Sequence, residues 1–327
     1  MEITGKRFLV IGGAGFIGSH VVAELLKHDV AEVLIYDNFA RGKVSNIHES
    51  LRDARCKVFQ DGGDIRDTDI LNNAMKGIDG VFHLAAMWLL HCKEYPRTAF
   101  EVNIQGTFNV LEACVNNGVQ RLVYSSSTSV YGDAVEIPMT EDHPFNNRNL
   151  YGATKIAGEA MCRAFHDRYG LEYAGLRYMN VYGPNQDQTA AYTGVIPIML
   201  NKIDANENPE INGDGSQAYD FISVEDVARC NVLAMKSNSS DKFYNVGTGV
   251  QTTIKELCDK ILKLKKSDLT VSFKPYTEAD TQRLVQNRIG STEKASQDLA
   301  FEYEVNLDYG LEKLVLWRLT QEKINWY

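Results

Sequence analysis

Between Phe8 and Gly18 the chain runs from four apolar residues, Phe8-Leu9-Val10-Ile11, straight into Gly12-Gly13-Ala14-Gly15-Phe16-Ile17-Gly18, and an amphipathic stretch follows. The glycines stand at 12, 15 and 18. Glycine lets a chain turn tightly, brings its backbone close to a bound anion and lets a helix pack closely on a strand. A helix that starts at such a turn points free amides and the positive end of its dipole at that anion. The spacing gains its weight from the context, an apolar strand before it and an amphipathic helix after it.

The same rhythm continues. Short apolar runs over 8–11, 33–36, 58–60, 80–84 and 121–125 read as buried strands. Between them, 18–27, 67–75, 99–117 and 151–169 carry apolar residues at helical spacing. Strands alternating with helices predict an α/β fold, a doubly wound parallel sheet of the Rossmann type with right-handed crossovers. After Tyr178 the rhythm breaks at Gly183-Pro184-Asn185 and Gly213-Asp214-Gly215. Residues 1–180 are therefore expected to bind a dinucleotide, with 220–250 returning to the sheet. Residues 181–327, which include helical patterns over 252–264 and 311–320, are expected to form a smaller interleaved lobe for the substrate.

The net charge of −9 comes with no long basic run, which argues against nucleic acid or an anionic membrane as partner. No apolar stretch reaches the roughly 18 residues that a spanning helix needs. Cys56, Cys92, Cys114, Cys162, Cys230 and Cys258 are dispersed and include no CxxC pair. That speaks against a zinc site or a disulfide framework and suits a reducing compartment, so a cytoplasmic protein without a bound metal is expected.

Asp37 closes the second apolar run, about twenty residues beyond the glycines. A carboxylate there accepts hydrogen bonds from an adenosine ribose and repels a 2′-phosphate, which favours NAD over NADP. Arg41 nearby points the other way. Further on, Tyr151-Gly152-Ala153-Thr154-Lys155 places a phenol and an ammonium four residues apart, on one face if the segment is helical. A tyrosine with an ordinary pKa of about 10 is a poor base at neutral pH. A nearby lysine and a positive nicotinamide would lower that value and let Tyr151 accept a proton from a hydroxyl. Ser125, Ser126, Ser127, Thr128 and Ser129 bring hydroxyls to the end of a predicted strand, where ligands of such sheets collect.

The ordered set GGAGFIG, YDN, GDIRD, HLAA, VNIQGT, SSSTSVYG, YGATK and RYMNVYGP resembles the extended short-chain dehydrogenase/reductase family, the NAD-dependent epimerases and dehydratases, over about residues 7–235. Among its members the motifs are closest to UDP-sugar 4-epimerases. The resemblance implies that Gly12, Gly15, Phe16, Ile17, Gly18, Asp37, Asn38, Asp64, Ile65, Leu84, Ala85, Ala86, Asn103, Ser125 and Tyr178 contact NAD, together with Tyr151 and Lys155. It gives Ser127, Tyr151 and Lys155 the catalytic positions and assigns Thr128 and Asn180 to the substrate, a nucleoside-diphosphate sugar. It also implies a homodimer, formed through helices over 99–117 and 151–169, and a role in polysaccharide biosynthesis.

Three departures narrow the reaction. Ser127, Thr128 and Ser129 stand where the family's dehydratases carry Thr-Asp-Glu, so dehydration is disfavoured. Met87-Trp88-Leu89-Leu90-His91-Cys92 is unlike the common pattern after HLAA, and it makes Trp88 and His91 candidate sugar contacts. Tyr219 stands where an arginine usually serves the diphosphate, leaving that charge to Arg283 or Arg288, while Val195 would flank the base. The expected activity is epimerisation at C4 through a 4-keto sugar. A nucleotide-sugar 4-dehydrogenase or keto reductase is the alternative.

Overall fold

The structure, a computed structural model, describes residues 1–188, 194–276 and 287–324. Along the chain the strands are β1 Arg7–Ile11, β2 Glu32–Tyr36, β3 Cys56–Val58, β4 Gly80–His83, β5 Arg121–Ser127, β6 Glu172–Tyr178, β7 Asn180–Tyr182, β8 Glu210–Asn212, β9 Ala218–Tyr219, β10 Phe221–Ser223, β11 Lys242–Val246, β12 Thr252–Thr253, β13 Ser272–Lys274 and β14 Asn287–Arg288. The helices are α1 Phe16–Leu26, α2 Val44–Ile47, α3 Thr68–Ala74, α4 Leu89–Glu94, α5 Pro96–Ala99, α6 Gly106–Asn116, α7 Leu150–Tyr169, α8 Val195–Asp204, α9 Val224–Lys236, α10 Ile254–Leu264, α11 Glu293–Leu299 and α12 Leu307–Ile324.

Seven parallel strands make the central sheet in the order β11-β6-β5-β4-β1-β2-β3. The inner strands β1 and β4 are short apolar runs, buried on both faces, as a parallel sheet covered by helices requires. One face packs Val21, Val22 and Leu25 of α1 and Val227 of α9 against Phe8, Val10 and Phe82. The other packs Leu71 of α3, Val110 and Leu111 of α6 and Cys162 and Phe165 of α7 against Leu9, Val81 and Leu122. Strand order reverses between β1 and β4, and the crevice beyond their carboxyl ends is where ligands of such sheets bind. A third core, with Ile196 and Leu200 of α8, Leu257 and Ile261 of α10 and Leu311 and Leu314 of α12, builds the second lobe.

Some elements differ from the sequence reading. The third strand ends at Val58, earlier than expected, because Val33, Leu34 and Ile35 of β2 pair with Cys56, Lys57 and Val58. The helix expected over 99–117 is broken: α5 runs into one wide π-turn at Phe100–Gln105 before α6 begins. That wide turn carries Asn103 into the interior. Phe221–Ser223, within the stretch expected to return to the sheet, pairs with β7 outside the seven-stranded sheet, and Ser223 then caps α9.

Helix α7 lies unusually close to β5. A Cβ built on Gly158 would sit 2.0 Å from the Tyr124 hydroxyl and 2.5 Å from its ring carbon, and that ring is fully buried. The Gly158→Ala variant is therefore expected to lose about 1–3 kcal/mol of stability through overpacking. Urea unfolding of the two proteins measures the difference.

Candidate active site

The glycine turn is held by backbone crowding. Gly12 has φ +83°, and a Cβ on it would lie 2.8 Å from the Ala85 amide. A Cβ on Gly18 would lie 2.1 Å from the Gly12 carbonyl, so α1 can start against the strand end only without side chains at both positions. Leu84 and Ala85, just past β4, both donate backbone hydrogen bonds to the Ile11 carbonyl, at 2.9 and 3.1 Å. Gly15 precedes α1 without any side-chain cap, and a Cβ there would meet only the Gly12 carbonyl. The first amides of α1 thus have no side-chain cap, as a seat for a phosphate needs.

Asp37 ends at the same place. Its carboxylate accepts from Ala14 N at 2.9 Å and Phe39 N at 2.8 Å. Burial raises its pKa, against the pull of those amides and of Gly15. A half-buried carboxylate beside an uncapped helix start fits the ribose and pyrophosphate of a dinucleotide. Asn38 Oδ1 accepts from Ala40 N, shaping the loop beyond. Asp64 lies beyond it, held below the usual carboxylate range first by Arg66. Ile65 is buried against Gly106. Arg41, the feature favouring NADP, is occupied elsewhere: its guanidinium stacks 4.9 Å from the Trp88 ring centroid and pairs with Asp187 at 3.6 Å.

Across the crevice, β5 runs to Ser127, two residues further than the sequence suggests, and delivers its hydroxyls to the site. Asn149 caps α7 by accepting from Gly152 N at 2.8 Å. Tyr151 and Lys155 then point inward one turn apart. Lys155 Nζ donates to the Ser125 carbonyl at 2.6 Å and lies 5.8 Å from the Tyr151 ring centroid. Burial pulls the lysine down to about 8, with Cys92 and Glu159 opposing that fall. Burial pushes Tyr151 up to about 12, and a hydrogen bond from the Ser127 hydroxyl works against the rise. The lowered phenol expected from the sequence is thus reversed in the protein by itself. Desolvation of the phenolate outweighs a lysine almost 6 Å from the ring. Ser127 Oγ also accepts from Ser129 N at 3.1 Å, which leaves its own proton for the phenol.

Several residues assigned to ligands have polar groups already engaged by the protein. Asn103 accepts from Met87 N at 2.7 Å and donates to Met87 O at 2.9 Å and Thr154 Oγ1 at 3.1 Å. It braces the 87–92 segment against the catalytic helix. The Tyr178 hydroxyl is shared between Ser125 Oγ at 2.8 Å and Asn231 Oδ1 at 3.0 Å. Thr128 is buried and donates to the Tyr178 carbonyl at 3.0 Å, so its hydroxyl knits strand ends together. Asn180 Nδ2 donates to the Asp220 carbonyl at 3.1 Å.

Trp88 precedes α4 with its indole N–H buried and unpartnered, and His91 packs edge-on against it at 5.5 Å. In the second lobe Tyr219 and Arg288 are register partners on neighbouring strands. The Arg288 Nε is buried without a hydrogen-bond partner among the described residues. Val195 opens α8. Arg283 lies outside the described residues. Sequence reasoning missed Ser19, His20 and Asn185: Asn185 donates to Ser19 Oγ at 3.0 Å, and His20 Nε2 bonds the Pro184 carbonyl at 3.0 Å. These contacts pin the loop after β7 to the cofactor helix. The only signal was the Gly183-Pro184-Asn185 turn itself.

With this geometry in view, comparison with known proteins is decisive. Residues 8–247 match the model of the NAD dependent epimerase/dehydratase family. The chain belongs to that family. A putative UDP-glucose 4-epimerase of Methanocaldococcus jannaschii is 36% identical to it over 94% of this chain and 97% of its own. The UDP-N-acetylglucosamine 4-epimerase from Methanobrevibacter ruminantium, solved in complex with UDP-N-acetylmuramic acid, shares 31% identity with a TM-score of 0.90, covering 98% of this chain and all of that one. The UDP-glucose 4-epimerase of Thermus thermophilus, solved with NAD, is also 31% identical, with a TM-score of 0.83 and coverage of 95% and 99%. The cofactor of this NAD-dependent family member is NAD, and the crevice suits it.

A buried lysine at about 8 is a cost to the fold. Its folded pKa lies below the 10.5 of a free lysine, so the penalty is full below pH 8 and fades as pH rises towards 10.5. Lys155→Met is accordingly expected to raise the melting temperature by a few degrees at pH 7. The gain should shrink above pH 8. Calorimetry across that range measures it.

Proposed function

We propose that the protein is an NAD-dependent UDP-sugar 4-epimerase. The observation that carries this reading is the Ser127, Tyr151 and Lys155 cluster at the carboxyl end of β5, with no acid beside Ser127, across the crevice from the glycine turn. Tyr151 takes the proton of the C4 hydroxyl, and Ser127 hydrogen-bonds the same oxygen. Lys155 contributes positive charge beside the phenolate that proton transfer requires. NAD, seated against the glycine turn, supplies the hydride acceptor and donor for oxidation at C4 and its reversal. The 4-keto sugar then accepts hydrogen on its opposite face, and C4 is inverted.

Residues 1–180 with β11 hold the cofactor in this reading, and the second lobe holds the nucleoside diphosphate. Arg288, with an unpartnered buried Nε, and Tyr219 beside it supply the diphosphate contacts that the missing arginine would have made. The sugar lies between Asn180 and the Trp88–His91 segment. Thr128 and Ser129 offer no carboxyl to protonate a leaving hydroxyl, which counts against dehydration. Phe100, Phe108 and Tyr169 are exposed along the helices from α5 to α7 and support pairing as a homodimer. Six buried free cysteines suit the cytoplasm, and the reaction suits polysaccharide biosynthesis.

Adding UDP-sugars to the purified protein with NAD⁺, while following absorbance near 340 nm, tests the assignment. A signal capped at the enzyme concentration, with substrate converted to its C4 epimer, is expected. Absorbance that keeps growing would mean a dehydrogenase instead. Tyr151→Phe should lose at least about a hundredfold in kcat with the fold intact, within the usual contribution of acid–base catalysis; near-normal turnover would sink the role given to this residue. In Lys155→Met, kcat should fall and should rise with pH between pH 6 and 9, because loss of the ammonium leaves burial, which holds the Tyr151 phenol up, without its nearest positive charge.

A further inference from the structure

Helix α7 carries Tyr151 and Lys155 close to its start, yet the apolar contacts along its inner face are non-directional and do not by themselves fix how it is rolled on the sheet. One turn past Lys155 stands a group that does. Glu159 and Arg177 of β6 are each only 2% exposed at the side chain. Arg177 donates through Nε to Glu159 Oε1 at 2.8 Å and through Nη2 to Oε2 at 2.7 Å. Ser126 Oγ donates to the same Oε1 at 2.6 Å. Glu159 thus locks α7 to two neighbouring strands, at residues adjoining Ser127 and Tyr178.

The chain of bonds continues to the substrate side. Arg177 Nη1 donates to the Tyr131 hydroxyl at 2.8 Å and the Glu141 carbonyl at 2.9 Å. Tyr131 donates to Asn245 Oδ1 at 2.6 Å. Asn245 Nδ2 donates to the carbonyls of Met139 at 2.9 Å and Ser291 at 3.2 Å. Met139 in turn brackets the segment after Arg288, with Met139 N donating to Ile289 O and Ser291 N to Met139 O, both at 2.8 Å.

We propose that Glu159 and Arg177 are positioning residues, which set the roll of the catalytic helix so that Tyr151 meets Ser127 and tie that helix to the strand bearing Arg288. The inference rests on the epimerase reading. A bidentate carboxylate–guanidinium pair fixes both distance and plane. Such a pair, buried, adds little stability over well-packed apolar residues, so its value here is geometric. Its charge also reaches the site. Lys155 is faced by Tyr151, Glu159 and Cys162 of its own helix, by Cys92 of α4, by His83 of β4 and by Tyr124 of β5, and Glu159 is the carboxylate among them that favours the charged lysine.

The test compares Ser126→Ala and the double variant Glu159→Leu/Arg177→Met with the parent protein. It records kcat and KM for the UDP-sugar, the pH profile, the melting temperature and deuterium exchange of the amides at 151–155. The double variant is expected to keep its melting temperature within a few degrees while kcat falls about 10- to 100-fold, as a misplacement on the order of 1 Å can produce. KM should stay within about threefold, the basic limb of the profile, where Lys155 loses its charge, should move to lower pH, and exchange at 151–155 should quicken. Ser126→Ala removes a single bond and no charge. It should fold normally, lose kcat by several-fold and keep the position of the basic limb; this variant carries the test if the double one does not fold. A kcat within about twofold of the parent in both, with unchanged exchange at 151–155, would overturn the proposal. If the parent itself converts no UDP-sugar, the epimerase reading fails. Exchange at 151–155 then decides the positioning claim alone: quickening in the variants supports it, and no change refutes it.

Discussion

The site depends on one close approach. Helix α1 starts so near the end of β1 that a single carbon on Gly18 would collide with the Gly12 carbonyl, and one on Gly12 would press on the Ala85 amide. That crowding joins three elements, β1, α1 and the turn after β4, at the point where strand order reverses. It leaves the first amides of α1 without a side-chain cap. An anion can take the place of that cap.

Opposite that turn the protein uses burial as its main electrostatic lever. Lys155 and Tyr151 are enclosed, and desolvation moves each towards its neutral form, the lysine down to about 8 and the phenol up to about 12. A neutral phenol is a poor base, so under the proposed mechanism Tyr151 has to be activated before it can take a proton. The positive charge of an oxidised nicotinamide acts on the phenol in the opposite direction. In the proposed mechanism, cofactor binding and activation of Tyr151 are therefore linked.

The second lobe is joined to the first through named polar contacts as well as apolar packing. His20 and Ser19 hold the loop after β7, Arg41 links Trp88 to Asp187, and the Arg177 network reaches the strand of Arg288. The glycine turn, α7 and the strand of Arg288 share one framework. Much of this was outside the reach of sequence reasoning. Arg177 lies within a motif that the sequence displays, yet its partner Glu159 reads there only as another charged residue on a helix.

The sequence alone determined the alternating strands and helices, the glycine turn with Asp37 beyond it, and the Tyr151–Lys155 pair, because each is a local pattern whose physical meaning rests on spacing. It also carried the family resemblance that comparison with known proteins established. The tertiary structure decided which hydroxyls and amides remain open to a ligand. Asn103, Thr128 and Tyr178 look free in a linear reading, yet in three dimensions their polar groups are engaged by residues 16 to 53 positions away. It also decided the protonation preferences of Tyr151 and Lys155, since desolvation depends on what encloses a group from every side, and no short stretch of sequence specifies that enclosure.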